Sequence, residues 1–121
     1  MADSRRKGHD WERDLCKRLR SAGARSAERV LTEPRDGNAR GDIATDLPLV
    51  IQAKCGKAPN PWKALEEAEE AARARNGGGR RYPVGIVKRL RGGGRQGVEM
   101  AVMPLETFEE IVRELRKAGV W

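Results

Sequence analysis

The stretch G-D-I-A-T-D-L-P-L-V-I-Q-A-K-C, Gly41 to Cys55, decides how the rest of the chain is read. Two short apolar runs, Ile43 to Thr45 and Leu49 to Ala53, flank Asp46-Leu47-Pro48, a pattern that predicts a β-hairpin turning near Leu47. A turn centred there sets Asp42 opposite Gln52, where cross-strand Cβ atoms lie about 4.5 to 5.5 Å apart. Lys54 comes two residues after Gln52, so Asp42, Gln52 and Lys54 share one face. Leu49, Ile51 and Ala53 point the other way, into a core. An acid, an amide oxygen and an ammonium gathered at one hairpin suit a hard cation such as Mg²⁺ or Mn²⁺ next to a phosphate. Polar residues on the solvent face of a half-buried hairpin are also ordinary, and the case turns on a fourth residue elsewhere in the chain.

That residue is Glu12. From about Gly8 to Ala22 the residues Trp11, Leu15, Cys16, Leu19 and Ala22 recur at helical spacing and occupy an arc of about 140°. Glu12 falls inside the arc, between Leu19 and Cys16, whereas Arg13, Lys17, Arg18 and Arg20 lie opposite. A carboxylate on a buried face is costly unless paired or bound to metal. A structural salt bridge would explain it alone; taken with the hairpin, a third metal or water ligand explains it better.

At 121 residues one domain is expected, and the charge of +7, from 25 Lys and Arg against 18 Asp and Glu, favours a polyanion as partner, nucleic acid first. No apolar run is long enough for a membrane span and no signal peptide opens the chain, so a soluble, cytoplasmic protein is expected. Cys16 and Cys55 sit among apolar neighbours without a C-x-x-C spacing and are read as reduced core residues. With one histidine, His9, zinc sites and Ser-His or Cys-His nucleophiles are poorly supported. Carboxylate and lysine chemistry remains.

Residues 1–7, with Arg5, Arg6 and Lys7, read as a basic flexible arm ahead of a domain spanning 8–121. Glu28 to Leu31 reads as a first strand. The polar loop Thr32 to Gly41 leads into Asp42, and its Arg35 and Arg40 either hold phosphates at the mouth of the site or are simply solvated. Asn60 caps and Pro61 opens a helix to about Arg75, with a narrow face of Ala64, Leu65, Ala68, Ala71 and Ala72 suited to close packing on a sheet. Its outer side pairs Lys63 with Glu67 and Glu69 with Arg73, a solvation pattern. Gly77-Gly78-Gly79-Arg80-Arg81 and Arg91-Gly92-Gly93-Gly94-Arg95 read as loops. Tyr82 to Lys88 and Val98 to Met103 read as a hairpin. After Pro104, Leu105, Phe108, Ile111, Val112 and Leu115 make a stripe that is core or dimer interface. The order αβββαββα gives an α/β domain, a mixed sheet flanked by helices.

The acid of the first helix within R-K-G-x-x-x-E-R, then G-D, then Q-A-K on the next strand resembles the PD-(D/E)XK nuclease superfamily, and in particular the archaeal-type Holliday junction resolvases and their phage relatives. The likeness runs from Arg6 through the helix beginning at Asn60. It implies a restriction-endonuclease-like core in which Glu12, Asp42 and Gln52 hold one or two Mg²⁺, with Mn²⁺ able to substitute, while Lys54 positions a water or steadies the transition state. Gln52 stands where the family usually has glutamate; its amide oxygen ligates but attracts a cation less. Arg5, Arg6 and Lys7 match a basic stretch that in the family contacts junction DNA. The resemblance implies a homodimer that cuts a four-way junction in two symmetry-related strands, without a small-molecule cofactor, in the cytoplasm (a host's, if the source is a phage). The competing readings are another nuclease on this fold, restriction-like, nicking or repair, and a non-catalytic DNA-binding protein.

Overall fold

Ile43 pairs with Ile51 across two antiparallel strands, the register that a turn near Leu47 dictates. The computed structural model describes residues 4–31, 41–74 and 81–121. In it the chain runs α1 (Ser4–Ala22), β1 (Ala27–Arg29), β2 (Ile43–Thr45), β3 (Leu49–Gly56), α2 (Pro61–Arg73), β4 (Tyr82–Arg89), β5 (Val98–Val102) and α3 (Leu105–Lys117). The strands form one sheet in the order β1-β2-β3-β4-β5, parallel only between β3 and β4 and therefore mixed. This is a single α/β domain with the expected element order.

Each face of the sheet is covered by a different helix. Trp11, Leu15 and Cys16 of α1 bury against Ala27, Ile43 and Ile51, with Leu49, Ala53, Cys55 and Ile86 packed around them. A slip of one residue in β3 would turn Ile51 out and Gln52 and Lys54 in, so the apolar face fixes the polar one. On the other face α2 lays down Ala64, Leu65 and Ala68, all buried. Asn60 caps this helix, its Oδ1 accepting from the Lys63 N–H at 3.1 Å, as expected of Asn before Pro. α2 comes so close that a Cβ at Gly85 of β4 would lie 2.9 Å from the Leu65 nitrogen and 3.0 Å from the Ala64 Cβ.

Two expectations change. α1 starts at Ser4 rather than near Gly8, so Arg5, Arg6 and Lys7 lie in its first turns. Arg and Lys are good helix formers, and Gly8 inside the helix costs only about 1 kcal/mol. β1 begins at Ala27, fully buried, rather than at Glu28. Of the two readings of the α3 stripe, core or dimer interface, the buried core is not the one seen: Leu105 and Phe108 are exposed, and only Thr107 of that helix is buried. The 77–79 glycines lie outside the described residues. Among the described residues no helix is long and apolar enough to cross a membrane.

Gly85→Ala should destabilise the fold by about 1–3 kcal/mol, because backbone and not a flexible side chain occupies the space. Urea or thermal unfolding checks this; an unchanged midpoint would mean that α2 stands off the sheet.

Candidate active site

Asp42 is held through its backbone and its side chain. The preceding Gly41 has φ +72, and a Cβ there would run into the Ile51 carbonyl, so this position takes glycine for two independent reasons. The Asp42 N–H donates to the Ile51 carbonyl at 2.8 Å, and its own carbonyl accepts from the Val30 N–H at 3.0 Å. Its carboxylate Oδ2 accepts from the Ala53 N–H at 2.8 Å. Gln52, with its amide oriented to satisfy both groups, donates from its nitrogen to the two Asp42 oxygens at 2.9 and 2.7 Å. The hairpin thus brings Asp42 and Gln52 together as the sequence required. In this arrangement the amide nitrogen, not the oxygen, faces the acid.

Glu12 and Lys54 each come with a partner that sequence reasoning did not supply. Glu12 Oε2 accepts from Arg29 Nε of β1 at 2.9 Å, with both side chains less than one-fifth exposed. The salt bridge weighed for Glu12 is therefore formed. Lys54 Nζ lies 2.8 Å from Glu67 Oε2 of α2. Glu67, expected to pair with Lys63 on the solvent side, instead reaches the site; the available signal was its place at the edge of the apolar arc of α2, near Ala64, Ala68 and Ala71. For Arg29 the signal was weaker, a charged residue in a strand that must lie beside the hairpin.

Burial pushes the Asp42 carboxyl above its ordinary range. The Ala53 N–H opposes the rise, the Glu12 carboxylate adds to it, Lys54 opposes and Glu67 adds. The carboxylates of Glu12 and Glu67 thus both act on Asp42 at its half-buried position. Burial also pushes the thiols of Cys16 and Cys55 up, so they stay protonated, free and non-nucleophilic, in line with their reading as packed residues.

A divalent cation suits this chemistry in kind, since oxygen donors of Asp42 and Glu12 with Glu67 nearby would be relieved of mutual repulsion by it. Among the described residues no three Asp, Glu, His or Cys side chains already close on one point. Arg29 and Lys54 share the acids in this arrangement. Of the residues expected to meet DNA, Arg6 and Lys7 are exposed on α1, Arg5 lies in its first turn, and Arg35 and Arg40 lie outside the described residues.

Two stability measurements probe the site. A carboxyl whose folded pKa is raised costs stability above that pKa and none below the unfolded value near 3.9. Asp42→Asn should therefore raise the thermal midpoint at pH 7, and the gain should shrink as pH falls toward 4; a gain that grows on acidification would contradict the assignment. Gln52→Glu replaces a donor by a second carboxylate, and in chelator it should lower stability by about 1–3 kcal/mol. Mg²⁺ should then stabilise this variant more than the parent. Equal midpoints in chelator would mean that the amide does not hold Asp42. Comparison with known protein families, with curated proteins and with solved structures found no match for this chain.

Proposed function

We propose that this protein is a metal-dependent endodeoxyribonuclease of the PD-(D/E)XK type that resolves four-way DNA junctions as a homodimer. The observation that carries the reading is Asp42, fixed behind a glycine that nothing else can replace, with its carboxyl raised by burial and by the carboxylates of Glu12 and Glu67. A half-buried acid crowded by other carboxylates, which a dication would relieve, beside a lysine supports metal-assisted phosphodiester hydrolysis. The succession α1-β1-β2-β3-α2-β4, with a hairpin and then a parallel strand reached through α2, supports a restriction-endonuclease-like core. The charge of +7 supports DNA as partner.

In this reading a bound Mg²⁺ or Mn²⁺ would supply Lewis acidity and an acidified water. Asp42 and Glu12 would hold it, and Gln52 keeps Asp42 oriented. Glu67 holds Lys54, which reaches the phosphate to steady charge as the bond to the leaving oxygen breaks. Dimerisation follows from symmetry, since two strands must be cut and each chain offers one site. The exposed Leu105, Phe108, Val98 and Met100 support such an interface.

A second reading has its own observation. Both charged partners of the site are already engaged, Arg29 with Glu12 and Lys54 with Glu67, as in a DNA-binding protein whose site has become structural. Incubation with Mg²⁺ and labelled four-way junction, in parallel with linear duplex of the same sequence, separates the two. Paired symmetric nicks on the junction alone are expected. Asp42→Asn should abolish them while junction affinity stays within about threefold, because the basic surface and not Asp42 holds the phosphates. Tight junction binding without nicks in Mg²⁺ or Mn²⁺ would favour the second reading, and nicks on linear duplex would favour another nuclease on this fold.

A further inference from the structure

Past the end of β3 the surface opens into a groove of about 930 Å³, bounded by the start of α1, the ends of β3 and β4, and residues 90–97. Its charged lining is Lys7, Lys57, Lys88, Arg89, Arg91 and Arg95, and among the described residues no carboxylate lines it. Lys88 is partly engaged, 3.9 Å from Glu99 and 5.2 Å from the centroid of the Trp11 ring. The other five form no ion pair with a described carboxylate. Cations gathered in one concavity repel one another, and the low-dielectric walls focus their field outward onto an anion.

The rim is open to a backbone as well as to a charge. Gly92, Gly93 and Gly94 have φ of 69, 58 and 74, and nothing lies within 4 Å of where a Cβ would stand on any of them. A phosphate can approach this turn without meeting a side chain, while Arg91 and Arg95 flank it. Among the described residues Leu90 is the only large apolar one in the lining, too little to insert into a lipid surface.

We propose that this groove binds the sugar-phosphate backbone of duplex DNA at a distance from the cleaved bond, a partner whose identity rests on the nuclease reading above. Lys57 lies five residues beyond Gln52. Strand spacing makes that at most about 17 Å, or up to roughly five base pairs of duplex at about 3.4 Å each. The groove therefore holds an arm of the substrate within about five base pairs of the phosphodiester presented at Asp42. The contacts read charge and shape, not base sequence.

The test compares the parent with Lys57→Gln/Arg91→Gln/Arg95→Gln, three exposed positions outside the site, by anisotropy of a labelled long-armed junction across a salt series. Affinity should fall at least about tenfold, and the slope of log affinity against log salt should shrink by about 2 to 3, near 0.9 per lost phosphate contact. Arg91→Lys/Arg95→Lys, which keeps the charge, should retain the parental slope. Trimming the arms below about five base pairs should weaken the parent and leave the triple variant unaffected. Parental affinity and slope in the triple variant would overturn the proposal, as would phosphatidylserine vesicles competing as well as duplex of equal charge. Cleavage of saturating junction, followed on the same proteins, keeps the two readings apart. A parent that depends on the groove for binding but never cuts removes the nuclease and leaves the groove. A triple variant that cuts and binds as the parent does removes only the groove.

Discussion

The pairing of Ile43 with Ile51 beneath Trp11 is the constraint on which the candidate site depends. Both isoleucines are fully buried, each worth about 1.5–3 kcal/mol against exposure. A slip of one residue would forfeit that and drive Lys54 toward the α1 core. Polar chemistry is thus placed by apolar necessity. Asp42 meets Gln52 because their neighbours have nowhere else to go, and Gly41 lets the Ile51 carbonyl come close enough to receive the Asp42 N–H.

The carboxylates of Glu12, Asp42 and Glu67 stand against two cations, Arg29 and Lys54. That leaves a locally negative position within a chain of charge +7. In the proposed function this contrast has a use. A phosphate attracted by the basic surface is repelled at the site itself until a dication is present, so DNA can be held without being committed to cleavage. Gln52 fits the contrast, since an amide secures Asp42 without adding to the repulsion.

The sequence made the skeleton legible because the determinants were local. Asp46-Leu47-Pro48 marked a turn, Asn60-Pro61 a helix start, and period-two or helical spacing the strands and helices between them. The missed partners were tertiary. Lys54 and Glu67 belong to a strand and to the helix that follows it, and Glu12 and Arg29 to a helix and an edge strand; i,i+4 arithmetic pairs Glu67 with Lys63 and has no means of choosing Lys54 instead. The start of α1 was missed because a basic cluster reads as a solvated arm, whereas its Arg and Lys side chains extend a helix readily. The stripe of α3 was legible as apolar, but periodicity does not say whether such a stripe is covered by its own chain.

The turn at the tip of the hairpin is finished from far along the chain. Arg81 donates through one guanidinium nitrogen to the carbonyls of Thr45 and Leu47, at 3.0 and 2.9 Å, and the Tyr82 N–H donates to the Pro48 carbonyl at 2.8 Å. Asp46 accepts from the Ser26 N–H, which lies earlier in the chain. A ribosome therefore delivers every acid of the site before it delivers the residue that pins the turn between them. Up to that point α2 has no β4 to pack on and β3 has only one neighbouring strand. Parallel pairing of this kind is slow to form because loop closure precedes its reward. Assembly of the site is thus timed by the arrival of β4, and the nascent chain carries its chemistry before it has the geometry to use it.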